Sequence, residues 1–173
     1  MTKSKTFYLV LAALFTAIGC VLPRLFHTLS LSGQIFLPMH FPVLLCGLIC
    51  GPTLGGISGI LVIFYASVIG GYPPIFPNGI YMACELLAYG FVAGILIKKF
   101  NVYVSLIGAM LIGRAVLFVA KLILLSVNKS GFAISTFWAD AFITPILGII
   151  IQIIVIPIIV KLIDNYVLKG ARA

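Results

Sequence analysis

Glu85, Arg114, Lys121 and Asp140 stand in or beside long apolar runs, a setting in which a charge is costly unless it has a partner or a task. Counted at about 1.5 Å per helical residue, Glu85 lies roughly 20 Å from Lys98, and Arg114 roughly 18 Å from Val102 on the following helix. The same count from the inner end of the last helix sets Asp140 roughly 30 Å up, near the level of Lys121. Two acid–base pairs at matched depth are therefore expected. Arg114 and Lys121 fall on one face of their helix, and Asn78, Met82, Glu85 and Tyr89 recur at i, i+4, i+7 and i+11 on theirs. Such pairs either tie helices together or line an apolar pocket. In the second case Glu85 accepts from the donors of a small polar ligand, and Arg114 or Lys121 donates to its oxygens.

A second set of candidates sits near the connections. Tyr72 and Phe76 are placed to stack on a ring, and Gln34 and His40 can hydrogen-bond a ligand. His40, just before Phe41-Pro42, could equally cap the helix that follows. Trp138 stands where an interfacial aromatic anchor is common, and Arg24 where a lipid phosphate is a natural contact.

The elements that must position these residues are set by composition. Hydrophobic residues make up 63% of the 173 and charged ones 8%, and the mean hydropathy is +1.31, which excludes a water-soluble globular domain. The apolar runs Phe7 to Leu22, Ile80 to Ile97, Val102 to Val127 and Phe142 to Val160 approach or exceed the length of about 20 helical residues that crosses a hydrocarbon core. Phe41 to Ile69 is almost wholly apolar but broken by Gly51-Pro52, so it reads as a helical hairpin whose first helix is short and reaches back toward Leu37. The expected fold is an all-α membrane protein of six transmembrane helices, one domain over 1–173. Lys3, Lys5, Lys98, Lys99, Lys161, Lys169 and Arg172 then gather on one side, with both termini cytoplasmic. Three outward connections follow: Pro23 to Met39, Gly70 to Gly79 and Asn128 to Phe137. The second, with three prolines, can take no regular helix. Long aromatic and polar loops on the outer side alone suggest that this side handles a ligand.

Several functions are disfavoured. The formal charge of +8 is dispersed and forms no nucleic-acid-binding stripe. Cys20, Cys46, Cys50 and Cys84 fall in spans and read as small apolar residues, so neither a disulfide nor a metal site is expected. No cofactor is expected either. No paired-aspartate metal motif, His-Glu-x-x-His, Gly-x-Ser-x-Gly or Gly-rich phosphate loop ending in Lys-Ser or Lys-Thr occurs, so the chain does not read as an enzyme. Ala17-Ile18-Gly19-Cys20 weakly resembles a cleavage site, but retention as the first membrane helix is the better reading.

On the first helix Ala13 and Ala17 give a small-residue face that another helix, from within the chain or from a partner, can approach closely. This face, the six-helix plan, Leu37-Pro38-Met39-His40-Phe41-Pro42-Val43-Leu44-Leu45 leading to Gly51-Pro52, and Pro73-Pro74-Ile75-Phe76-Pro77 followed by Glu85-Leu86-Leu87-Ala88-Tyr89-Gly90 carry a resemblance. Over essentially its whole length the chain resembles the substrate-binding S component of energy-coupling factor vitamin transporters, in the pantothenate, hydroxymethylpyrimidine and pyridoxine-like branch. The resemblance implies a vitamin pocket near the outer face, closed by the first and third loops, in a prokaryotic plasma membrane. It also implies partners: a transmembrane coupling protein that meets Ala13 and Ala17, and two ATPase subunits that supply the energy. Because Glu85 and Asp140 can neutralise both bases, a pyrimidine or pyridine ring of the hydroxymethylpyrimidine or vitamin B6 type is favoured over pantothenate, whose carboxylate would call on Arg114 or Lys121. The rival reading is a stand-alone secondary transporter that moves protons through Glu85, Asp140 and His40.

Overall fold

The computed structural model describes residues 4–71, 73–127 and 137–168. Its helices are α1 (Lys5–Thr28), α2 (Gly33–Phe36), α3 (His40–Cys50), α4 (Pro52–Val68), α5 (Ile80–Leu96), α6 (Val102–Val127) and α7 (Ile146–Leu162). Among the described residues there is no strand. Five stretches, Lys5–Thr28, Gly33–Cys50, Ile75–Leu96, Val102–Leu124 and Ala139–Tyr166, are long and apolar enough to cross a membrane, and the shorter apolar α4 makes the sixth. The six-helix plan read from the sequence is the observed one.

Local chemistry explains the boundaries. Ser4 caps α1, its Oγ accepting from the Phe7 amide at 3.3 Å. Gly51, at φ 96° and ψ 175°, ends α3, and Pro52 opens α4 at a position where a missing N–H costs nothing. The short second span is real: α3 has 11 residues and is joined to α2 through Leu37, a left-handed residue at φ 51°.

One expectation needs correction. Pro23 does not begin a connection, because α1 continues through it to Thr28. Proline removes one helical N–H bond, yet beyond it the turns are kept by the Leu29 amide on the Leu25 carbonyl at 3.0 Å and Thr28 Oγ1 on the Arg24 carbonyl at 2.9 Å. The last span begins about where the third connection was expected to end, at Phe137: Ala139–Ile143 forms a wide π-type turn that leads through Pro145 into α7. The proline-rich connection does lack regular helix up to its end, where Ile75–Gly79 makes another wide turn with Phe76 extended at φ −116°, ψ 134° and a cis Phe76–Pro77 bond. Residues 128–136 of the third connection lie outside the described residues.

α5 is the centre of the bundle, packed against α3, α4 and α6. On its α3–α4 side the approach is backbone to backbone. A Cβ on Gly90 would run into Gly55, one on Gly47 into the Gly90 carbonyl, and one on Gly59 into Leu86. α6, and α7 around Ile156, are packed by side chains, among them Leu106, Ala109 and Ile156 in the main core. This contrast places the charged residues where glycine packing gives way to side-chain packing.

Candidate functional site

Glu85 of α5 is 2% exposed and accepts at Oε1 from Nη1 of Arg114 on α6, at 2.7 Å. The His40 ring, at the head of α3, brings Nε2 to 3.7 Å from the same oxygen, too long for a hydrogen bond. Edge-on to that ring, with centroids 5.0 Å apart and planes at 80°, lies Tyr89, one turn after Glu85. Gly113 makes room for it, since a Cβ there would sit 3.0 Å from the Tyr89 ring carbons. Three helices thus deliver an acid, a guanidinium, an imidazole and a phenol to one buried spot.

The spot is incompletely satisfied. Among the described residues, His40 Nδ1 and Nε2 and Arg114 Nε and Nη2 are buried with no hydrogen-bond partner. A buried donor left unmade costs roughly 1–3 kcal/mol, and more when charged. Nε and Nη2 form one edge of the guanidinium, the fork that matches two acceptor atoms in a plane.

The second expected pair is also formed, at the rim. Lys121 Nζ lies 3.8 Å from Asp140 Oδ2 and over the rings of Tyr81 at 5.2 Å and Phe137 at 5.9 Å. The Asp140 side chain is 66% exposed and that of Lys121 15%, unlike the buried first pair. Along α6 the two bases are roughly 10 Å apart. Tyr81 donates to Asn78 Oδ1 at 2.6 Å, which ties Asn78 to this rim rather than to the Glu85 cluster.

The remaining candidates are more scattered. Gln34 is exposed on α2, Phe76 is exposed at the proline-rich turn, and Tyr72 lies outside the described residues. Trp138 is exposed and stacks on Phe142 at 5.1 Å. Arg24 donates from Nη2 to the Ile69 carbonyl at 3.1 Å and sits over the Tyr65 ring, closing the end of α4. For His40 the two sequence readings separate: no side chain caps α3, and the ring faces Glu85. Gln152, 1% exposed on α7, escaped the sequence reading although it is the single polar residue there before Lys161.

Ala13 and Ala17 are exposed on α1 and line a lateral groove of about 510 Å³ shared with Ile57, Ser58, Leu61 and Tyr65 of α4. The groove is apolar apart from few atoms such as Thr16 Oγ1, which lies 2.9 Å from Ser58 Oγ.

The length and composition of the helices define a multi-pass membrane protein. The family described as "ECF transporter, substrate-specific component" matches residues 7–160, and the chain belongs to it. It is a substrate-specific subunit of such a transporter. No curated protein and no solved structure matches the chain.

Proposed function

We propose that this subunit captures a small water-soluble vitamin or vitamin precursor at the outer face of a prokaryotic plasma membrane, as one capture domain over 1–173. Its cargo is held at Glu85, Arg114, His40 and Tyr89. The observation that carries this reading is the set of buried, unpartnered nitrogens on Arg114 and His40, which a ligand with acceptor atoms would satisfy. Lys121, Asp140 and Asn78 form the rim of the site, and Gln34, Tyr72 and Phe76, from the first and second connections, are further candidate contacts for the cargo. Ring cargo of the hydroxymethylpyrimidine or vitamin B6 type fits Glu85 as acceptor for an amine or hydroxyl and an aromatic as stacking partner. Pantothenate is the second reading, favoured by the free Nε–Nη2 edge of Arg114, which suits a carboxylate.

The groove beside Ala13 and Ala17 receives a transmembrane coupling protein, and two ATPase subunits drive uptake. The test is a calorimetric titration of the detergent-solubilised protein with hydroxymethylpyrimidine, pyridoxine and pantothenate, followed by Glu85→Gln. Saturable binding by one compound, weakened more by Glu85→Gln than the melting temperature is lowered, supports the reading. Equal losses of binding and thermal stability would make the pair structural. Uptake by this chain alone in vesicles, collapsed by an uncoupler, would replace the partner-driven scheme with proton coupling through Glu85, Asp140 and His40.

A further inference from the structure

Gln152 is a buried amide on a helix made almost wholly of isoleucine, valine and leucine, and at membrane depth such a group needs a partner. Its partner is a backbone carbonyl far away in sequence: Nε2 donates to Leu37 O at 3.4 Å. Leu37 is the left-handed residue between α2 and α3, with φ 51° and ψ 51°. That conformation costs a leucine roughly 1–2 kcal/mol and persists only when its surroundings hold it. The same carbonyl accepts the His40 amide at 3.1 Å, so it links Gln152 directly to the residue that faces Glu85.

One turn before Gln152 stands Gly148, and a Cβ there would press on the carbonyls of Ile35 and Phe36. Positions four apart share a helix face, so Gly148 and Gln152 together seat the end of α2 and the first turn of α3 on α7. Pro38 and Met39, between the seat and His40, are buried and leave little slack. The His40 ring then has Glu85 Oε1 at 3.7 Å and Tyr89 edge-on.

We infer that Gln152 is a positioning residue: by holding the Leu37 carbonyl against α7 it fixes where the His40 ring meets Glu85 and Tyr89. Its relevance to cargo rests on the reading that the Glu85 cluster is the binding site, but its effect on the His40 ring does not. A simple interhelical tie would stabilise the fold without moving that ring.

The experiment uses the full chain in detergent, with its two histidines labelled for NMR. Gln152→Leu is expected to move the ring signals of His40, which feel the Tyr89 ring, and to leave those of His27 in place. Unmoved His40 signals in the folded variant would overturn the inference. If Gln152→Leu gives no folded protein, Gly148→Ala displaces the same carbonyls and is expected to move the same signals. Against hydroxymethylpyrimidine, pyridoxine and pantothenate, affinity for the compound bound is expected to fall roughly three- to tenfold in Gln152→Leu. Adding Gln152→Leu to His40→Asn should cost nothing more, whereas full additivity would mean that Gln152 does not act through His40. Should His40→Asn bind as tightly as the wild type while Gln152→Leu still shifts the His40 signals, the cargo site is elsewhere and the positioning role stands.

Discussion

The two sides of α5 are built by different means. Toward α3 and α4, Gly47, Gly55, Gly59 and Gly90 bring main chains into contact, and nothing there can move without separating helices. Toward α6, the contact is made by long side chains, and its centre is a charge pair with donors to spare. Close backbone packing tolerates no added atom, because there is no side chain to rearrange. A charge pair between flexible side chains can open for a third participant. The difference suggests a division of labour in which one side keeps the shape and the other exchanges partners.

The harshest way to break this comparison is Gly90→Leu, which would force α4 and α5 apart. Overpacking costs typically about 1–3 kcal/mol where side chains can shift, and here the obstacle is the Gly55 backbone. Loss of folded protein in detergent is expected, and a normal melting curve would refute the rigid seam.

Next in size is Arg114→Leu, which strands Glu85 as a buried charge and should destabilise by about 3–5 kcal/mol. The double variant Glu85→Leu, Arg114→Leu sharpens the point. It is expected to recover most of the melting temperature and none of the cargo binding, since an apolar pair can replace an ion pair in packing only. Recovery of neither would make the pair part of the scaffold.

Lys121→Met should cost no more than about 1 kcal/mol of stability, because its partner Asp140 is largely in solvent. Its effect is expected on cargo affinity and on the salt dependence of binding, read by titration at two ionic strengths. The smallest effect on stability and binding is expected from Ala17→Trp, which fills the lateral groove from an exposed position. Uptake in cells carrying the coupling proteins should stop, and unimpaired uptake would remove the groove from the docking scheme.

Much of this arrangement was legible in the sequence, for identifiable reasons. Helix length and charge depth follow from a fixed rise per residue, so the pairs Glu85–Arg114 and Lys121–Asp140 could be matched by counting. Gly51-Pro52 marks a turn through local chain chemistry alone. The continuation of α1 past Pro23 was not legible, because a proline near a helix end can either stop it or be carried. His40 could not be assigned from its neighbours, since Glu85 approaches it only in the fold. Gln152 left a faint trace as a lone amide among branched aliphatics, but its partner is a backbone carbonyl, and carbonyls have no letter in a sequence.

The short apolar stretches of α1 and α4 matter for the surrounding lipid. α1 has 24 residues but its apolar run is Phe7 to Leu22, and α4 has 17, so the apolar parts rise about 24 Å and about 26 Å beside a hydrocarbon layer of about 30 Å. Stretches shorter than the layer are accommodated by thinning it around them. Both demands fall on the same lipids, those at the groove where the two helices meet. Hydrophobic mismatch there costs fractions of a kcal/mol per Å, and a helix of matched length that displaces those lipids removes it. Membrane thickness is therefore a variable that should tune how readily this face accepts a neighbour.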